Sequence, residues 1–172
     1  MSSQARLLVH AAFSEAPFPD MTLQEAELRD HTPDREIAKE EWVEARRAGE
    51  GITWKHVPLQ VILNCSTALS HISEAGFVYF VPAYICASLD QLFNPQTQAG
   101  YLVGSTVFHL THTETNYSLS RLKAFSLAQG QAIIAFLSEV AQHGGYDGKD
   151  ATIGLETYWL TPKAREPLLY VP

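Results

Sequence analysis

Apolar residues recur at helical spacing along most of this chain. Leu7, Leu8 and Ala11 predict a first helix over 3–14, ended by Ala16-Pro17-Phe18-Pro19-Asp20, where two prolines interrupt the backbone ladder. Thr22-Leu23-Gln24-Glu25 has capping-box form and predicts a short helix over 23–30. Pro33 is placed to open a helix over 33–48. Its narrow stripe of Ile37, Ala38, Trp42 and Ala45 leaves it largely solvated, with Trp42 as anchor and Gly49 at its end.

Further on, Leu59, Ile62, Cys65, Leu69 and Ile72 stand three and four apart and predict one buried helical face over 57–72. After Ser73 a short helix is expected, with Pro82 opening a second one that runs to about Phe93; one kinked continuous helix is the alternative. Asn94-Pro95 closes this block. Residues 100–109 read differently, because Tyr101, Leu102, Val103, Thr106, Val107 and Phe108 are β-formers, and a strand or extended segment is expected. Its one β-rich partner would be Leu168-Leu169-Tyr170-Val171. Ser126-Leu127-Ala128-Gln129 is a second capping box, followed by Ile133, Ile134, Phe136, Leu137, Val140 and Ala141 and stopped at Gly144-Gly145. A last helix over 149–160 would bury Ile153, Leu155, Tyr158 and Trp159, with Gly154 weakening it by roughly 1 kcal/mol relative to Ala. The pattern therefore predicts a mainly α, compact single domain over 1–172, with an acidic helical part at 1–50 and at most a small two-stranded β element.

Charge narrows the partners. The formal charge is −7, and residues 1–50 hold eleven acids against six bases, so a nucleic-acid backbone would be repelled, while a basic protein partner is compatible with a surface whose charge also serves solubility. No run of about 18 apolar residues is seen, since Pro82 and Ser88 fall in the most hydrophobic stretch, and no membrane association is expected. Cys65 and Cys86 are too few for a disulfide framework, which places the chain in a reducing cytoplasm by default.

Four motif blocks carry a resemblance. Trp54-Lys55-His56-Val57-Pro58, Gly76-Phe77-Val78-Tyr79-Phe80-Val81-Pro82-Ala83-Tyr84, the run from Arg121 to Leu137, and Tyr158-Trp159 resemble a bacterial family known only as a domain of unknown function. The likeness covers 54–93 and 121–160 and implies a shared fold over 54–160; it implies no reaction. Its residues read as architecture: Gly76 for close packing, Pro58 and Pro82 as helix starts, and Trp54, Phe77, Phe80, Tyr84 and Trp159 as buried area.

Candidate chemistry is sparse. His109 and His112, with Glu114, are the strongest polar cluster; on a helix the two imidazoles would share a face, on a strand they would point oppositely. No His-Glu-x-x-His, Gly-x-Ser-x-Gly or phosphate-binding glycine loop is present, and no metal or cofactor is expected. Tyr79 and Tyr84 carry hydroxyls that could line a pocket with the histidines. Glu36, Glu40, Glu41 and Glu44 form an acidic face on the 33–48 helix. The leading expectation is a non-enzymatic interaction protein, of the type of an immunity inhibitor that covers a basic toxin with this face. The alternative is a small enzyme or ligand-binding domain with a Tyr/His-lined pocket, and a homodimer through exposed aromatic surface is a third.

Overall fold

Caps decide where several of the helices begin. The computed structural model describes residues 3–93 and 101–161. Helix α1, Gln4–Ala12, starts where Ser3 accepts a hydrogen bond from the Arg6 amide. A second acceptor comes from far along the chain, as the Glu139 carboxylate takes the Ala5 amide at 2.9 Å and sets a negative charge at the positive end of the helix. Helix α2, Leu23–His31, carries the complete Thr22/Glu25 capping box. Helix α3, Lys39–Gly49, begins later than Pro33 predicts, because Glu41 rather than proline fixes its start. The Glu41 carboxylate accepts the Ala38 amide at 3.0 Å and pairs with Arg35 at 2.5 Å.

The single helix expected over 57–72 is divided. A 3-10 turn at Trp54–His56 leads through Pro58 into α4, Leu59–Asn64, and a separate turn, α5, spans Ala68–His71. The break falls at Cys65, whose carbonyl oxygen accepts the Tyr84 hydroxyl at 2.5 Å, and at Thr67, whose hydroxyl reaches back to α2. Leu59, expected on the buried face, is exposed at the start of α4.

Conversely, Pro82 starts no helix. It lies inside α6, Glu74–Phe93, which is continuous, as in the kinked alternative. An 18-residue window at a mean hydropathy of 1.3 makes the 20-residue α6 long and apolar enough to cross a membrane by length and composition alone, contrary to the expectation that no such stretch exists. Two thirds of its most apolar window (67%) is buried within this fold, so the same apolarity also suits the central helix of a packed core.

The expected strand at 100–109 is instead helix α7, Leu102–Thr111. Leu102, Val103, Thr106, Val107 and Leu110 are all buried, a spacing that turns one helical face toward α6 and overrides their β propensity. Ser88 donates to Thr106 at 2.9 Å and so satisfies a buried polar pair across that contact. No strand occurs among the described residues, and the proposed partner at 168–171 lies outside them.

Helix α8, Asn116–Lys123, is capped by Thr115, and α9, Leu127–His143, by the predicted Ser126/Gln129 box. Gly144 and Gly145, at φ 82° and 74°, turn the chain directly into α10, Gly145–Gly154, which a π-helical turn at Leu155–Trp159 extends. Helices α1 and α10 pack on α9, α7 bridges α6 and α10, and α2 packs on α3 and α5. One cluster of buried side chains, from Ala5 to Trp159, joins these elements. The indoles of Trp54 and Trp159 donate to the carbonyl oxygens of Phe13 (3.0 Å) and Leu110 (2.7 Å), so both large rings are buried without an unpaired N–H.

Candidate functional site

The four candidate aromatic and histidine residues do not converge. Tyr84 is fully buried at the α4/α5 break, where its hydroxyl is committed to Cys65 and burial raises its pKa well above the ordinary value. Tyr79 packs edge-on to Phe18 and Phe80 with ring centroids 5.3 and 4.9 Å apart, and burial raises its pKa too. Both tyrosines belong to the core, and among the described residues neither lines the hollow that His109 and His112 share.

His109 and His112, by contrast, meet at one small hollow. Because 102–111 is helical, His109 and the capping residue His112 fall on one side of α7, and the hollow between α7 and α8 is lined by both, with Phe108, Ser118 and Arg121. Phe108 stacks on His112 at 4.9 Å and 24°. The volume is ≈ 20 Å³, room for about one water-sized group such as a single oxygen of an anion, and too small for a whole metabolite.

Arg121 decides the electrostatics of this hollow. Its side chain is drawn from α8 into the core, where the residue is only 5% exposed. The guanidinium carbon lies 3.7 Å from the Phe77 ring centroid and 5.1 Å from that of Tyr117, so two aromatic faces stabilise the cation. One terminal nitrogen donates to the Leu69 carbonyl oxygen at the end of α5. Its Nε is buried with no hydrogen-bond partner, and no carboxylate pairs with Arg121 among the described residues. Burial lowers its pKa, with Tyr117 and Glu74 acting the other way.

The same surroundings discharge His109. Burial first, then the positive potentials of Arg121, His112 and His71, bring its pKa down to about 4, and the imidazole is neutral at pH 7. An anion entering the hollow would meet a permanent guanidinium and an imidazole ready to take up a proton.

The acidic face is differently disposed. Glu41 is occupied by Arg35 and by the Ala38 amide, which hold its pKa down to about 2. Glu36 lies before the helix, exposed. Glu40 and Glu44 line an open hollow of ≈ 480 Å³ along α3, but share it with Lys39, Val43 and Arg47, so its charge is mixed.

A model of one family of unknown function matches residues 1–163, which includes the acidic N-terminal part as well as the four motif blocks. The chain belongs to the DUF6714 family. No curated protein and no solved structure matches it. Within this DUF6714 chain, sequence reading singled out His109 and His112 by residue type and missed Arg121. The available signal was the place of Arg121 at the head of the third motif block, four residues after Tyr117 and beside Leu122.

Proposed function

We propose that this DUF6714 member is a binding protein that recognises an anionic group, a carboxylate or a phosphate, seated between Arg121, His109 and His112. The observation that carries this reading is a buried guanidinium with a free Nε and, among the described residues, no carboxylate within ion-pair distance. A buried, unpaired charge costs several kcal/mol unless something compensates it. The aromatic faces and the Leu69 carbonyl compensate Arg121 in part, and a bound oxyanion would supply the rest. Ser118, whose hydroxyl accepts from Thr115 at 2.9 Å, still has its own proton to donate toward the hollow. The exposed Phe108 ring at the mouth gives the remainder of the ligand an apolar surface to lie on.

Titration with inorganic phosphate and with acetate, followed by calorimetry and by the ring protons of His109 in NMR, tests the reading. Saturable binding with a downfield move of His109 is expected, together with its loss in Arg121→Met. Absence of saturation by either anion would overturn it.

A second reading keeps the interaction protein with a basic partner, of the immunity-inhibitor type. It is favoured by α3, which packs chiefly on α2 and leaves Val43 49% exposed beside Glu40 and Glu44. On this reading Glu40→Lys with Glu44→Lys abolishes capture of the partner, and Arg121→Met leaves it intact.

A further inference from the structure

Where α1, the Trp54–His56 turn and α4 pack on α6, they leave a pocket of ≈ 200 Å³. It shares no lining residue with the hollow at Arg121. Trp54, Ile62, Ala83 and Ala87 are its buried lining. Its more exposed lining carries the charge, in Arg6, His10, Lys55 and Asp90.

These polar groups favour a ligand of one sign. Asp90 is the one carboxylate in the lining, and Arg6 Nη2 already holds it at 2.5 Å while also donating to the Cys86 carbonyl oxygen at 2.8 Å. Both bonds use Nη2, which leaves Arg6 Nε and Nη1 without a protein acceptor among the described residues. Lys55 pairs with no carboxylate among the described residues. His10 stands four residues after Arg6 on the same face of α1. Burial first, then the charges of Arg6 and Lys55, lower its pKa, and the latter two mark a positive potential across the pocket.

Size and apolar surface narrow the class further. A cavity of about 150 Å³ holds one benzene ring, whereas drug-sized ligands occupy about 300–1,000 Å³. A pocket of ≈ 200 Å³ therefore suits a single ring carrying a small head group. The Trp54 indole N–H is committed to the Phe13 carbonyl oxygen, so this ring offers the pocket an apolar wall with no N–H to satisfy. Leu59, exposed in the empty protein, adds apolar surface that a bound ring would remove from water.

We propose that this pocket binds a small apolar monocarboxylate of about the bulk of benzoate, its ring against Trp54, Ile62, Ala83 and Ala87 and its carboxylate met by Arg6 and Lys55. Burial of the ring holds the ligand, and charge-assisted hydrogen bonds from the free guanidinium nitrogens and the ammonium fix its head. The site is separate from the Arg121 hollow and does not depend on it.

The test titrates the full chain with benzoate, followed by calorimetry and by the histidine ring protons in NMR. One benzoate per chain is expected, with His10 shifted and His109 unmoved. Acetate, which lacks the ring, should bind at least about tenfold more weakly, and benzylamine, which keeps the ring and reverses the charge, should not saturate. Lys55→Met and Ala87→Leu, the second filling the pocket without altering its charge, should each weaken benzoate by at least about tenfold, whereas Arg121→Met should leave it unchanged. Lys55 is exposed, so its variant folds as the parent does, and the melting temperature of each variant verifies this. No saturation at millimolar benzoate, equal binding of benzylamine, affinity that survives both Lys55→Met and Ala87→Leu, or loss of binding in Arg121→Met would overturn the assignment.

Discussion

The guanidinium of Arg121 lies 3.7 Å from the centroid of the Phe77 ring, deep enough for a residue of the most surface-seeking type to be 95% covered. This pairing joins α8 to the start of α6, and it leaves one N–H of the cation facing no acceptor. A charge held in that way is a poor contributor to stability, and on the proposed reading it is the group that meets an anion.

Removing the charge should therefore separate the two roles. Arg121→Met keeps most of the stem packing against Phe77 while deleting the buried cation, and its stability should stay within about 1 kcal/mol of the parent or exceed it. Arg121→Ala, which also loses the packing, should cost about 2–4 kcal/mol. Urea denaturation of both, beside phosphate titration, checks the pair: each loses anion binding, but only the alanine variant is clearly destabilised.

His109 makes stability depend on pH. Its folded pKa of about 4 lies below the unfolded value near 6.5, so the unfolded chain binds the extra proton between those limits. Its contribution is complete above about pH 6.5 and is lost as the pH falls toward 4, a difference on the order of 3 kcal/mol. In His109→Gln the melting curve measured from pH 7 to 4 should be flatter by that amount, and an unchanged slope would refute the assignment.

Both thiols should be slow to react in the folded protein. Burial pushes Cys65 up to about 12 and Cys86 up to about 11, so little thiolate is present at pH 8 even though His10 Nε2 lies 4.0 Å from the Cys86 sulfur. Alkylation followed by mass spectrometry should show modification only in denaturant; prompt labelling of Cys86 in buffer would count against the burial described for it.

At Gly154 α10 passes close to Thr111 of α7. A Cβ there would stand 2.1 Å from Thr111 Cγ2 and 2.5 Å from Thr111 Cβ, distances that require the helices to separate. Gly154→Ala should cost about 2–3 kcal/mol despite alanine's better helix propensity. Adding Thr111→Ala removes the nearer atom and leaves the other, so calorimetric melting should show partial recovery.

The parts of the fold that local chemistry controls were legible in the sequence. Thr22 with Glu25, and Ser126 with Gln129, set helix starts through hydrogen bonds three residues long, and both helices begin where those motifs place them. What tertiary contacts control was not legible. The β-branched and aromatic residues between Tyr101 and Phe108 are helical because one face of them is buried on α6, and Pro82 is accommodated within a helix whose residues around it are almost all buried. The site divides along the same line. The two histidines could be named by type, but their convergence depended on 102–111 being helical, and Arg121 became visible only once Phe77 and Tyr117 were seen to enclose it.

One turn of helix is too short to be stable alone, and α5 is held by side chains that come from elsewhere. Arg121 holds the Leu69 carbonyl, the Tyr117 hydroxyl lies 3.1 Å from the Ser70 carbonyl and 3.3 Å from that of Ile72, and Asp30 holds His71. The segment is thus held from α8 on one side and from α2 on the other. Its amides should exchange with solvent deuterium faster once any of these contacts is cut, so that α5 reads out the integrity of the side chains around it.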